Sequence, residues 1–166
     1  MKKTILIAAI QLCNSLAVNI LLVMSTALIY KNQGSVSALM MLMTVPTILF
    51  SKIFGCMIDK GVSKIILQLL FFGSIITSLI LTFQGLYQYN IALYVYASVV
   101  YVMDCFVRLY ASVFVTNVTS DQHYLKFNSL LNFSDNAGCI IGPVIGGIWA
   151  ETEEIFYGFL IITVFL

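Results

Sequence analysis

The sequence predicts an all-α protein of the polytopic membrane class, a bundle of six transmembrane helices whose last member is incomplete. Of the 166 residues, 61% are hydrophobic and only 9% are charged, whereas roughly a quarter of the residues in a soluble domain are charged. The mean hydropathy of +1.03 agrees with this class. The formal net charge of +1 provides no basic field for nucleic acid. The chain is therefore expected to fold in a lipid bilayer.

Each membrane-spanning helix is predicted from an apolar stretch whose length as a helix is compared with the thickness of a bilayer. A spanning helix needs about 20 mostly apolar residues, because its backbone hydrogen bonds must all be made internally. Five stretches reach this length and a sixth does not. They cover approximately Thr4–Ile29, Ser35–Met57, Val62–Gln84, Ile91–Val118, Phe127–Trp149 and Ile155–Leu166. The short polar connectors between them are Tyr30–Gly34, Ile58–Gly61, Gly85–Asn90, Thr119–Lys126 and Ala150–Glu154.

The first stretch begins in the manner of a secretory signal peptide, with Lys2 and Lys3 before apolar residues. Its apolar part is longer than the core of a signal peptide, and no pair of small residues marks a cleavage site. An uncleaved first helix is therefore the favoured prediction.

A polar stripe runs along one side of this first helix. At about 100° per residue, its polar side chains cluster on one face while leucine, isoleucine and valine occupy the other. The stripe consists of Gln11, Asn14, Ser15, Asn19, Ser25 and Thr26. In lipid such a face must point into the bundle or onto water. Two interpretations stay open: hydrogen bonding that holds helices together, and the lining of a cavity.

The fourth and fifth helices carry ionisable residues near the middle of the membrane. Asp104 and Arg108 lie one turn apart on the fourth helix, and Asp135 lies on the fifth. Arg108 and Asp135 both lie about 12–15 Å from the inner boundary of the bilayer. Ionised groups at this depth cost at least about 2.5–3.5 kcal/mol, so they face inward and find partners. We expect Arg108 to pair with Asp135 or with Asp104, and a purely structural ion pair stays an alternative.

The positions of the lysines predict the orientation. If the amino terminus is in the cytoplasm, every lysine except Lys31 lies at or near the cytoplasmic side. This distribution agrees with the positive-inside rule, under which cytoplasmic loops carry an excess of lysine and arginine. The lysines at or near cytoplasmic ends are Lys2, Lys3, Lys52, Lys60, Lys64 and Lys126. The prediction is a multi-pass protein of the cell membrane with a cytoplasmic amino terminus.

The final apolar stretch is too short to span the bilayer. As a helix it extends roughly 18 Å, whereas the hydrocarbon core is about 30 Å thick. It stops within an apolar run that has no flanking charge. We therefore expect the sequence to be truncated.

The connector after the second helix contains a recognisable motif. Its matching positions are Gly55, Asp59, Lys60 and Lys64. This stretch resembles the G-x-x-x-D-R/K-x-G-R-R/K signature of the major facilitator superfamily, which lies in the same loop with the same orientation. The resemblance implies a loop that takes part in conformational change.

The fifth helix carries a second motif around a proline. Glycines recur at every fourth residue, which leaves a flat ridge for close packing of another helix, and Pro143 removes a backbone donor. The matching positions are Gly138, Gly142, Pro143, Gly146 and Gly147. The string G-x-x-x-G-P-x-x-G-G resembles the antiporter signature of exporters in the same superfamily. A generic packing face is the alternative explanation for the glycine spacing.

Together the two motifs imply the amino-terminal half of a secondary active transporter. In the superfamily, such a half consists of two inverted three-helix repeats, and the fourth and fifth helices are similar to those of the drug, macrolide and siderophore exporter branch. Arg108 is similar to the fourth-helix arginine of proton-coupled members. The resemblance implies a proton-coupled exporter of small amphipathic molecules that works by alternating access. The implied substrate and proton path includes Asn14, Asn19, Asp104, Arg108 and Asp135.

An alternative class is a truncated membrane protein that does not transport, or a subunit that pairs with a separate half. Because alternating access requires two bodies, we expect no carboxy-terminal bundle within residues 1–166 and no transport by this chain alone. The expected partners are the lipid bilayer, a small-molecule substrate and, for the subunit alternative, a second six-helix half, with no nucleic acid. No motif for an enzyme, a cofactor or a metal site is present in the sequence.

Overall fold

A computed structural model of the chain describes residues 2–61, 63–83, 90–118, 121–151 and 155–165. These residues form six α-helices and no strand, which confirms the predicted all-α class. The helices are α1 Lys2–Lys31, α2 Val36–Asp59, α3 Ser63–Phe83, α4 Asn90–Val118, α5 Asp121–Glu151 and α6 Ile155–Phe165.

Four helices, α1, α2, α4 and α5, extend further into a connector than the sequence predicts. The largest difference is at α5, which begins at Asp121 although the predicted helix begins at Phe127. Apolar length defines the part of a helix inside lipid, whereas polar residues can continue the same helix beyond it. At the other end of the bundle, α1 continues to Lys31, whose positive charge complements the helix dipole.

Three described helical segments are long and apolar enough to cross a membrane, judged by length and composition. They are Ile5–Lys31, Val36–Asp59 and Asn90–Asn117. Within α3, the shorter stretch Gln68–Ile80 is apolar. The more polar composition of α5 includes Asp135 in its interior. The described residues thus show a membrane bundle whose most polar long helix is α5.

The centre of the bundle is α1. It packs most extensively against α5 and also contacts α4, α6 and, to a small extent, α2. A second layer forms where α2 packs on α4 and where α3 packs on α4 and α6. The core between these helices contains fully buried side chains such as Leu21, Met24, Leu93 and Phe159. Because α1 touches four neighbours, its polar stripe lies mostly inside the protein.

The outer surface is apolar over α2, α3 and α5. Large side chains such as Ile48, Phe72 and Ile140 are exposed on these helices. Apolar groups on the outside and polar groups on the inside suit lipid, because the hydrocarbon cannot satisfy polar atoms. This distribution is what a membrane helix bundle requires.

The turn between α1 and α2 is fixed by α4. The hydroxyl of Tyr94 donates to the backbone oxygen of Ser35 and accepts from its backbone nitrogen, each at 3.0 Å. The side chain of Ser35 caps α2 by accepting from the backbone nitrogen of Ala38 at 3.2 Å. This turn is thereby held against the first part of α4.

Candidate functional site

A cluster of charged side chains joins α4 to α5. Nε of Arg108 donates to Oδ2 of Asp104 at 2.8 Å, and its Nη1 donates to Oδ2 of Asp135 at 2.5 Å. A planar guanidinium has five N–H donors, so it can serve two carboxylates at once. Both pairings that the sequence left open are therefore present together.

Two amides from α1 complete the cluster. Nδ2 of Asn14 donates to Oδ1 of Asp104 at 2.6 Å, and Nε2 of Gln11 donates to Oδ1 of Asp135 at 3.4 Å. Residues three apart on a helix lie on the same face, so both amides point toward the carboxylates. As a result, each of the four carboxylate oxygens accepts a hydrogen bond from a described donor.

Gln11 is a site residue that sequence reasoning missed. It was recognised as one member of the polar stripe, but its contact with Asp135 joins residues 124 positions apart. The available signal was its spacing of three from Asn14, which predicts a shared face and no particular partner. Only the packing of α1 on α5 assigns that partner.

The cluster combines burial with an unbalanced charge. Asn14 is 0% exposed, Gln11 is 4% exposed and Asp104 is 7% exposed. One guanidinium faces two carboxylates, so the formal charge of the ionised cluster is −1. Ionised groups inside a membrane protein mark functional sites by default, because their insertion is costly.

One side of the cluster is closed and the other is open. The α1 side is sealed by the buried amides, whereas the side chain of Arg108 is 40% exposed and that of Asp135 is 24% exposed. A molecule approaching from outside the bundle therefore reaches Arg108 and Asp135 before Asp104. This arrangement can bind an ionic or polar group on the open side.

Asn19 lies outside the charged cluster. Its Nδ2 donates to the backbone oxygen of Ser15 at 2.8 Å and lies 3.6 Å from Sγ of Cys139. Ser15 in turn donates through Oγ to the backbone oxygen of Asp135 at 3.0 Å. The structure thus brings Asn14, Asp104 and Arg108 together with Asp135, and places Asn19 one turn further along the interface of α1 with α5.

The glycine ridge of α5 faces α1. A Cβ atom on Gly138 would lie 2.5 Å from both Cβ and Oγ of Ser15. The same atom on Gly142 would lie 2.6 Å from Cβ of Asn19, and on Gly146 it would lie 2.9 Å from the backbone oxygen of Ile20. These separations leave no room for a side chain, so the glycines let the two backbones meet.

The fourth glycine of the second motif does not share this contact. Gly147 has open space where a Cβ atom would be, and Pro143 lies inside α5. The ridge is therefore formed by the three glycines spaced four residues apart, and the fourth glycine lies on another face.

The first motif lies at the end of α2. Gly55 is within the helix and has open space around its α-carbon, while Asp59 is the last residue of α2 and Lys60 is its C-cap. Both charged side chains are exposed. Gly61 follows with a φ of +74°, a backbone conformation that favours glycine. The side chain of Lys64 lies outside the described residues.

Comparison with known proteins gives one family match. A family model described as Major Facilitator Superfamily matches residues 7–166, which include the cluster, the ridge and the α2–α3 connector. No curated protein and no solved structure matches the chain at a significant level.

Proposed function

The chain belongs to the major facilitator superfamily, and from this premise we propose that it is the amino-terminal half of a proton-coupled exporter of small amphipathic molecules. The family consists of multi-pass membrane transporters, so a role in transport is taken from membership of the family. The direction, the coupling ion and the kind of substrate are the proposal. The observation that carries it is the charged cluster shared by α1, α4 and α5.

The cluster supports coupling because its charge can change by one. Two carboxylates with one guanidinium are neutral when a single proton is bound and carry −1 when it is released. In a low-dielectric bundle such a change alters the interactions of every partner in the cluster. Proton uptake can therefore bias the positions of the three helices that contribute to it.

The exposed side of the cluster supports a substrate path. Arg108 and Asp135 are the members that an entering molecule reaches, and the apolar surroundings suit the rest of an amphipathic substrate. Asp104 and Asn14 lie behind them and act by holding Arg108 in place. Asn19 is proposed to extend the path along the interface of α1 with α5.

The two motifs are assigned to the movement between inward-open and outward-open states. The ridge formed by Gly138, Gly142 and Gly146 supports movement of α1 and α5 as one body, because their backbones are in contact. The exposed Asp59 and Lys60 are available to a partner outside the described bundle. With the proposed cytoplasmic amino terminus, this contact lies on the cytoplasmic side.

Alternating access places the substrate between two bundles, and the six helices here provide one of them. We therefore propose that transport requires a second six-helix body, whether linked or separate. The chain is purified in mild detergent from its native membrane and reconstituted into vesicles, with and without proteins that copurify. Proton-gradient-driven efflux of an amphipathic dye is expected only with the second body. Efflux by this chain alone would contradict the two-body proposal.

The role of the cluster is tested by exchanging charges in the transport-competent assembly. Arg108→Asp and Asp135→Arg are each expected to lower efflux at least tenfold, because each leaves like charges in contact. The double variant, which restores an opposite pair across α4 and α5, is expected to recover a large part of the activity. Glu151→Gln changes an exposed carboxylate at the far end of α5 and serves as the matched control. Losses that simply add would contradict the proposed pairing.

A further inference from the structure

A pocket lies near the carboxy-terminal end of α1, where α2 begins, several turns away from the charged cluster. Its volume is about 380 Å³ and one side is open. Small-molecule pockets have volumes of about 300–1,000 Å³. Its walls are apolar apart from one threonine and one tyrosine, and the lining residues are Leu22, Val23, Thr26, Ala27, Tyr30 and Val36. The pocket can therefore hold the apolar part of a small molecule.

The hydroxyl of Thr26 distinguishes this pocket from a plain apolar hollow. Its Oγ1 is buried and has no hydrogen-bond partner among the described residues. In contrast, Oγ of the preceding Ser25 donates to the backbone oxygen of Leu21 at 2.6 Å, as hydroxyls inside helices commonly do. A buried polar atom without a partner is unfavourable. The Thr26 hydroxyl is therefore free to bond to a polar atom of a ligand.

This hydroxyl favours one kind of occupant over another. A lipid acyl chain would fill the apolar space but has no polar atom to offer. An amphipathic molecule with an oxygen atom on its apolar part would fill the same space and accept a hydrogen bond from Thr26. Rotation about χ1 exchanges the methyl and hydroxyl groups of a threonine between staggered positions, so the hydroxyl can turn toward such an oxygen.

The pocket continues the face of α1 that carries Asn19. Thr26 lies seven residues beyond Asn19, which is about two turns, so the two side chains share one side of the helix at about 10 Å along its axis. Val23 links the pocket to the glycine ridge, because a Cβ atom on Gly146 would lie 3.1 Å from its Cβ. A molecule with one end in the pocket can therefore extend along α1 toward Asn19.

We infer that this pocket binds the apolar end of an elongated amphipathic molecule, and that an oxygen atom at that end accepts a hydrogen bond from Thr26. The polar end of the molecule points along α1 toward Asn19. The inference rests on the proposed function, because it takes the bound molecule to be the transported substrate. It narrows that substrate to molecules at least about 10 Å long with a hydrogen-bonding group toward each end.

Equilibrium binding of tritiated progesterone to the purified chain in mild detergent tests the pocket. This probe is a rigid, uncharged and largely apolar molecule that has a ketone oxygen toward each end. Saturable binding of one molecule per chain is expected. Uptake that only rises in proportion to the free concentration would overturn the inference, because the probe would then be dissolved in the micelle.

A pair of matched variants locates the bound probe. Ala27→Phe places an aromatic ring in the pocket and is expected to weaken progesterone binding at least tenfold. Val95→Phe adds an aromatic ring at a position of α4 that is 58% exposed and outside the pocket, and it is expected to bind as the unmodified chain does. Equal binding by the two variants would overturn the inference.

An isosteric substitution tests the hydroxyl by itself. Thr26→Val keeps the shape of the side chain and removes an oxygen that has no partner among the described residues, so the fold should be retained. Progesterone binding about fivefold weaker is expected, because a ketone oxygen loses its donor. Unchanged binding would contradict the role of Thr26. This variant also decides the question if Ala27→Phe does not fold.

Phospholipid supplies the competing outcome. If an acyl chain occupies the pocket, added phosphatidylcholine will displace progesterone from the unmodified chain, and that result would overturn the inference. Binding of the probe requires neither a second body nor a proton gradient. Its failure therefore leaves the efflux experiment to decide the proposed function, and a failure of efflux leaves the binding result to decide the pocket.

Discussion

α2 and α5 are long helices that each contain one proline and at least one glycine, yet they pack in opposite ways. In α5, three glycines bring the helix backbone directly against α1. In α2, a Cβ atom on Gly55 would meet nothing within 4 Å, and the helix contacts α4 through side chains such as Phe54, whose ring packs edge-on against Phe106 with centroids 5.0 Å apart. Two helices that each contain a proline therefore differ in their contacts, which are backbone to backbone in α5 and mediated by side chains in α2.

The two prolines also leave different carbonyl groups without their helical donor. Pro46 cannot donate to the backbone oxygen of Leu42. Oγ of Ser98 on α4 lies 2.9 Å from that oxygen and 2.8 Å from the backbone oxygen of Tyr94, so its one hydroxyl hydrogen is shared between the two. Pro143 likewise cannot donate to the backbone oxygen of Cys139, and within the described part of the chain no side chain takes over that role. A side chain of a neighbouring helix thus replaces the hydrogen bond that Pro46 removes from α2. For α5 no described side chain replaces the lost bond, and the helix is held by its glycine contact with α1.

The largest expected effect comes from filling the ridge of α5. Gly142→Val is predicted to destabilise the bundle by about 3 kcal/mol or more, because its Cβ would meet Asn19 and the backbone of α1. Gly147→Val, five residues further along the same helix, places its side chain in open space and serves as the control. Unfolding in increasing denaturing detergent measures both. Similar destabilisation by the two variants would remove the distinction between the faces of α5.

An intermediate effect is expected at the repaired carbonyl of α2. Ser98→Ala removes the donor to the backbone oxygen of Leu42 and is predicted to destabilise the chain by about 1 kcal/mol. In a Pro46→Ala background the carbonyl regains a helical donor, so the same substitution should cost less. A double-mutant cycle measures this coupling, and an identical cost in both backgrounds would show that Ser98 does not compensate for the proline.

The smallest expected effect distinguishes the two prolines. Pro143→Ala restores a donor to a carbonyl that accepts from no side chain among the described residues, so we predict that it stabilises the bundle by about 0.5–1 kcal/mol. Pro46→Ala restores a donor to a carbonyl that Ser98 already serves, and its effect should be close to zero. Thermal unfolding of both variants provides the comparison. A larger gain for Pro46→Ala would reverse the proposed difference between the helices.

The sequence predicted the charged cluster only in part. Asp104 and Arg108 are four residues apart on one helix, so their contact follows from helical geometry. The similar depth predicted for Arg108 and Asp135 limits the possible partners of the arginine but does not select one, and their contact is decided by the packing of α4 against α5. Gln11 escaped prediction because a polar stripe identifies a face and leaves its partners undefined.

The helices themselves were predictable, with an instructive error at α5. The sequence places its start at Phe127, but the helix starts at Asp121, because polar residues can continue a helix beyond its apolar part. The predicted glycine ridge is present as three glycines against α1. Gly146 and Gly147 have identical side chains and adjacent positions, yet only Gly146 is in contact, since successive residues on a helix are rotated by about 100°.

The number, order and approximate extent of the helices were determined by the sequence alone, because hydrocarbon thickness sets how long an apolar stretch must be. The choice of partners was decided only by the tertiary structure. Asn14 meets Asp104 across 90 residues of chain, and Ser15 meets Asp135 across 120. Such contacts depend on which helix packs against which and at what height. Local periodicity carries no information about either, so the ridge, the sealed amides and the unbalanced charge become visible only in the assembled bundle.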